Sequence, residues 1–218
     1  MSKIKSNYRI YGRLKGRKSK KINLDFYREL ISSYNSYSLD VRDYNILDIG
    51  SGNGENALAL ANNVKNKIIV CEKFIDGNIN LVNKMKKNNI QNIGIYDGNV
   101  NQFLDSYVPV KIFNEIWILF PDPWPKKRHH KRRLMNLFFF EKINNFLKRN
   151  GHVFIATDSK SYLRNILYDV FQSKNIFCWE NQTNFEWDYA NNSLPETKYY
   201  KKAIKSGRKP FFIKLRKL

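Results

Sequence analysis

Short apolar runs alternate with amphipathic stretches along most of this chain. Asn45 to Ile49, Lys67 to Cys71, Asn92 to Tyr96, Ile112 to Phe120 and His152 to Thr157 each read as a buried strand, since brief near-continuous apolar runs suit strands covered on both faces. Between them the apolar spacing turns helical. Ala57, Leu58, Leu60, Ala61 and Val64 form one such face, and Ile79, Leu81, Val82 and Met85 a second. Leu134 to Leu147 reads as a helix with an aromatic face including Phe138 and Phe139, closed by Gly151, and Ser161 to Phe171 as another. Ahead of the first strand, Leu24, Tyr27, Leu30 and Ile31 place a helix from Ile22 to about Tyr34. Residues 1–21 show almost no apolar periodicity and read as a flexible basic arm.

Repeated strand–helix units predict an α/β fold: a doubly wound, mostly parallel sheet with helices on both faces, one domain over residues 22–218 behind the arm. Such sheets bind ligands at the carboxyl ends of their strands, where the winding direction switches. The places to inspect are therefore the loop Gly50 to Gly54, Glu72, the segment Asp97 to Asn99, Asp122 and Asp158. Four of these five offer a carboxylate.

Charge sharpens this picture. The 218 residues carry 39 Lys and Arg against 19 Asp and Glu, a net charge of +20. Residues 1–21 hold nine cations, 126–133 six and 198–218 nine, all without an acid. The rest of the chain has a net charge of −4. A mildly acidic body with three basic appendages argues for a polyanionic partner, nucleic acid first. No apolar run approaches the roughly 18 residues of a membrane span, so no membrane partner is expected. Cys71 and Cys178 lack metal-site spacing and fit a reducing cytoplasm; no metal is expected, and the chain is expected to be a monomer or weak homodimer.

Asp48-Ile49-Gly50-Ser51-Gly52-Asn53-Gly54 follows a strand and precedes a helix. Its Gly-x-Gly-x-Gly spacing differs from the dinucleotide fingerprint, and no Lys-Ser or Lys-Thr follows, which excludes a P-loop. The spacing resembles motif I of S-adenosylmethionine-dependent methyltransferases. Glu72, at the end of the second strand, can accept hydrogen bonds from two ribose hydroxyls, and Asp48 can face the cationic methionine end of that cofactor. On this motif alone an NAD-type site and a plain tight turn stay open.

Phe120-Pro121-Asp122-Pro123-Trp124-Pro125 fixes a rigid loop at the fourth strand end, and Lys126-Lys127-Arg128-His129-His130-Lys131-Arg132-Arg133 follows at once. That string resembles the signature of the bacterial tRNA (guanine-N7-)-methyltransferases. Tyr11 to Arg17, Asp48 to Gly54, Ala156-Thr157-Asp158 and Glu196-Thr197-Lys198-Tyr199 agree with the same family in order. The resemblance implies a Rossmann-like class I methyltransferase that uses S-adenosyl-L-methionine to form 7-methylguanosine at variable-loop guanine 46 of tRNA. It implies cofactor contacts at Asp48, Gly50, Gly52, Gly54, Glu72, Asn99 and Asp122, and substrate contacts at Lys126, Asp158, Thr197, Lys198, Tyr199 and Tyr200. The family usually has Glu at the first of these positions, Asp where Asn99 stands, with Asp97 as an alternative, and Glu where Tyr200 stands.

Guanine N7 carries an exposed in-plane lone pair, so the reaction needs no base to make a nucleophile. It needs in-line placement and acids that stabilise positive charge passing from sulfur to the ring. Asp122 is the residue expected nearest the chemistry, with Asp158 orienting the guanine edge. The rival readings are a dinucleotide-dependent dehydrogenase, a non-catalytic RNA-binding protein and a methyltransferase acting on another RNA or on protein.

Overall fold

A computed structural model describes residues 11, 14–15, 23–35 and 38–218. Its strands are β1 (Tyr44–Ile49), β2 (Asn66–Glu72), β3 (Ile93–Asp97), β4 (Phe113–Leu119), β5 (Leu147–Thr157), β6 (Phe177–Trp179) and β7 (Phe211–Lys217). They lie in one sheet in the order β3-β2-β1-β4-β5-β7-β6. The first five pair in parallel, and β7 runs antiparallel between β5 and β6. The expected doubly wound, mostly parallel sheet is the one observed.

Period-two alternation sends successive strand residues to opposite faces. Leu47, Ile69, Ile116, Ile118, Val153 and Ile155 pack on one side against α4 (Val100–Asp105), α5 (Leu137–Asn144) and α6 (Lys160–Gln172). Ile46, Ile68, Val70, Trp117, Leu119 and Ala156 pack on the other against α1 (Leu24–Ser32), α2 (Glu55–Ala61) and α3 (Ile75–Lys87). Each fully buried side chain of this size contributes about 1.5–3 kcal/mol, so both faces of the central strands are committed to the core. That commitment is why these strands read as continuous apolar runs rather than as alternations. The chain runs from β1 outward to β3, then returns to β4 on the other side of β1. The carboxyl ends of β1 and β4 therefore flank the switch-point crevice. Among the described residues no helix is long and apolar enough to cross a membrane.

Several expected boundaries move. The helix expected over Leu134 to Leu147 starts at Leu137, where the Asn136 side chain accepts from the Phe139 amide at 3.0 Å, and ends at Asn144. Leu147 already belongs to β5, and Asn150 (φ 59) and Gly151 form an irregularity inside that strand rather than a helix stop. Phe138 is 63% exposed while Phe139 and Phe140 are buried, and Val64 lies beyond the end of α2 at 84% exposure. The short α4 has too few residues to show a period.

The largest correction concerns residues 198–218. They are no appendage: they form α8 (Lys198–Lys205) and β7, preceded by the single turn α7 (Asn184–Trp187). In β7, Ile213 and Leu215 point into the core while Lys214 and Arg216 project between them, so cations masked an alternating strand. The arm expected over residues 1–21 lies outside the described residues except for Tyr11, Leu14 and Lys15.

Candidate active site

All three loop glycines adopt left-handed backbone, with φ of 72° at Gly50, 59° at Gly52 and 78° at Gly54. At Gly54 a Cβ would also meet Leu81 Cδ1 at 2.5 Å, so the loop presses on α3. Gly77 completes that contact, for a Cβ there would collide with the Gly52 carbonyl oxygen. Gly77 was not among the expected site residues. Its signal was a glycine inside a helical stretch, which costs about 1 kcal/mol unless close packing requires it.

Glu72 ties the loop to the end of β2. Its Oε2 accepts from the Gly52 amide at 2.8 Å, and its Oε1 from the Lys73 and Phe74 amides at 2.7 and 2.8 Å. Burial raises its pKa, and these three amides oppose the rise. Asp48 is deeper, at 1% exposure, and burial pushes its pKa up to about 7. Asn56 and the Ala57 amide pull the value down, while the Glu72 carboxylate adds to the rise. Asp48 Oδ2, Ser51 Oγ and both amide atoms of Asn56 are buried with no hydrogen-bond partner among the described residues. Orphaned buried polar atoms are costly and call for an explanation. Orphaned acceptors at Asp48 Oδ2 and Asn56 Oδ1, with the donor Asn56 Nδ2 and the Ser51 hydroxyl beside them under a glycine cradle, fit the ammonium and carboxylate of the cationic cofactor that the resemblance implies.

The outer rim of this pocket comes from β3. Asn78 Nδ2 donates to the Tyr27 hydroxyl at 2.9 Å and to the Glu72 carbonyl at 3.1 Å. Tyr27 in turn hydrogen-bonds to Asp97, which opposes the rise that burial gives the pKa of that acid. Asn99 is the N-cap of α4, its Oδ1 accepting from the Asn101 amide at 2.8 Å. The structure thus engages Asn99 in a helix cap and leaves the Asp97 carboxylate partly exposed at the strand end.

Across the crevice, Asp122 is exposed and has no hydrogen-bond partner among the described residues. Phe120 (φ 54) and Trp124 (φ 42) bracket it in left-handed backbone, a strained arrangement that the surroundings must hold. Arg133 does so. It is 4% exposed, donates from Nε to the Pro123 carbonyl at 2.9 Å, and reaches Ser161 Oγ and Asn165 Oδ1 on α6, each at 2.9 Å. Its guanidinium also lies 4.8 Å from the centre of the Tyr162 ring. Sequence alone grouped Arg133 with the RNA-facing cations, because nothing in a basic run distinguishes a buried arginine. Arg132 is likewise engaged, with its guanidinium 4.9 Å from the Tyr11 ring and 5.0 Å from the Trp124 ring. The Leu14 carbonyl accepts from the Ile75 amide at 2.9 Å. Lys126, Lys127, Arg128 and Lys131 remain exposed on a short 3-10 turn.

The C-terminal residues meet this site from above. Thr197 is the buried N-cap of α8, its Oγ1 accepting from the Tyr200 amide at 3.1 Å, a role that uses its side chain structurally. Lys198 is exposed on the first turn. Tyr199 lies over the glycine loop, with Cε2 3.6 Å from the direction a Cβ on Gly52 would take. Its pKa is raised, first by burial and then by the Asp122, Glu72 and Glu55 carboxylates. Tyr200 turns inward and stacks on Tyr189 with ring centres 4.8 Å apart. Asp158, at the end of β5, is not the cap of α6; Ser159 takes that position.

The chain is similar to known proteins of one family. The model of the family described as "Putative methyltransferase" matches residues 42–213. A tRNA (guanine-N(7)-)-methyltransferase of Leptospira interrogans is 33% identical over 77% of this chain and 76% of its own length. Those of Wolbachia pipientis wMel and Neorickettsia sennetsu are 32% and 31% identical, over 78% and 72% of this chain and 73% and 72% of their own lengths. Among solved structures, an antibiotic-related methyltransferase superimposes with a TM-score of 0.56 at 19% identity, over 90% of this chain and 95% of that one. An rRNA methylase from Streptococcus thermophilus gives 0.53 at 18%, over 91% and 98%; at such identities the likeness concerns the fold alone. Fold and family model together define a methyltransferase of the Rossmann-like class. Within that class, the chain belongs to the family of bacterial tRNA (guanine-N7-)-methyltransferases.

Proposed function

We propose that this protein transfers a methyl group from S-adenosyl-L-methionine to N7 of a guanine in tRNA, the variable-loop guanine 46. The observation that carries the reading is the buried Asp48 carboxylate beneath the glycine loop, whose Oδ2 has no hydrogen-bond partner among the described residues, at the switch point that Asp122 and the exposed cations after it also border. An acidic pocket suits a cationic cofactor, and a basic rim suits an RNA backbone.

When bound, S-adenosylmethionine supplies an electrophilic methyl group on a sulfonium. Asp48 and the orphaned Asn56 atoms would hold its methionyl end, Glu72 its ribose hydroxyls, and Asp97, rather than the capped Asn99, its adenine amino group. The remaining steps belong to the protein's own side chains. Asp122, held by the Arg133 clamp, places a negative charge where positive charge develops on the base. Tyr199 covers the glycine loop and supplies an aromatic surface beside Asp122. Asp158 accepts from the N–H edge of guanine, and Lys126, Lys127, Arg128 and Lys131 bind the strand. No general base is needed, because N7 has its lone pair in the plane of the ring.

The experiment is incubation of the purified protein with methyl-labelled S-adenosylmethionine and an unmodified tRNA transcript, followed by strand cleavage at 7-methylguanine. The expected product is cleaved at one variable-loop position. Label on another atom or another base contradicts the reading.

A further inference from the structure

Arg208 stands in the turn between α8 and β7, and its position is fixed locally. Gly207 (φ 66) donates its amide to the Ile204 carbonyl at 2.9 Å, and the Arg208 amide donates to the Ala203 carbonyl at 3.0 Å. This pair of bonds is the Schellman cap that ends α8. β7 then begins at Phe211, opposite Thr157, so the turn is held against the strand end that carries Asp158. From there Arg208 Nε donates to Asp158 Oδ2 at 2.6 Å. The Arg208 side chain is 46% exposed and that of Asp158 20%. Among the described residues its two terminal nitrogens have no partner.

An ion pair this exposed adds little to stability, so its value lies in what it orients. A guanidinium engaged through Nε alone still presents two terminal N–H groups in a fixed fork, the geometry that fits phosphate oxygens. The helix that Arg208 caps also carries the exposed cations Lys198 and Lys202.

We propose that Arg208 is both a positioning residue and a phosphate contact. Its Nε fixes the Asp158 carboxylate that meets the target base, and its terminal nitrogens take a phosphate of the RNA strand carrying that base. Docking of the backbone and orientation of the base are thereby coupled through one side chain. This rests on the tRNA-methylating reading above.

The test uses the full-length protein with Arg208→Gln and Arg208→Lys, measuring kcat and KM for an unmodified tRNA transcript, the salt dependence of tRNA binding, and calorimetric affinity for S-adenosylmethionine. Arg208→Gln is expected to raise KM about tenfold, lower kcat severalfold and reduce the salt slope by about one, with cofactor affinity unchanged. Arg208→Lys is expected to recover the salt slope and KM but not kcat, since a point charge does not hold the carboxylate side-on. A wild-type KM and salt slope in Arg208→Gln would overturn the phosphate contact, and full recovery of kcat in Arg208→Lys would overturn the positioning role. A wild-type protein that methylates no tRNA guanine would instead overturn the underlying reading.

Discussion

Asp48→Asn should stabilise the cofactor-free protein at alkaline pH while damaging cofactor binding. Burial raises the Asp48 pKa from 3.8 to about 7, so the folded chain favours the protonated acid. The stability this group contributes is fully present below pH 3.8 and is lost as pH rises through about 7. A shift of about three units at 1.36 kcal/mol each amounts to about 4 kcal/mol at pH 8.5, and about half of that at pH 5.5. Relaxation and water entry reduce the measured figure, to about 2–4 kcal/mol at pH 8.5. Asparagine has nearly the same shape and never ionises, so it avoids this cost. Urea denaturation followed by the fluorescence of the four tryptophans, without cofactor and at several pH values, reads the difference directly. The variant should be the more stable protein at pH 8.5, with a gap that narrows by about half at pH 5.5. Its affinity for S-adenosylmethionine should fall about 100-fold, since a buried charge opposite a cation is lost. A variant less stable than wild type at pH 8.5, or a gap independent of pH, would mean that ionising the buried Asp48 carries no such cost.

Other substitutions separate the parts of the site. Asp122→Asn should lower the rate of methyl transfer at least about 100-fold while tRNA affinity in a filter-binding assay stays within about threefold. Lys126→Ala with Arg128→Ala should weaken tRNA binding and reduce its salt slope by about two, leaving calorimetric cofactor affinity unchanged. Arg133→Met should cost about 1–2 kcal/mol by urea denaturation, because the half-buried Pro123 carbonyl and the exposed Ser161 and Asn165 side chains lose their donor. Its turnover should also fall, through a loosened Asp122 loop, under conditions where the protein remains folded.

The parts of the fold legible in the sequence are those where local pattern and tertiary role coincide. Fully buried strands such as β1 and β4 are apolar because helices cover both faces, and glycine or proline marks their ends. The carboxylates at those ends can therefore be located from the residue pattern alone. The C-terminal strand is obscured because Lys214 and Arg216 occupy its outward positions, so its charge hides the alternation of Ile213 and Leu215. Arg133 and Arg208 are hidden for a related reason. A cation's partner is decided by packing distant in sequence, and a basic run looks the same whether one member is buried or all face solvent. Asn99 shows the converse: the resemblance implies a cofactor contact there, yet the start of α4 engages its side-chain oxygen.

In the proposed reaction the ring nitrogen N7 of one tRNA guanine is the methyl acceptor. Replacing that guanosine in a synthetic tRNA with 7-deazaguanosine, which carries C–H in place of N7, tests this most directly. The altered tRNA is expected to bind with nearly unchanged affinity and to take up no methyl group. Methyl transfer to the 7-deaza substrate would contradict N7 as the acceptor.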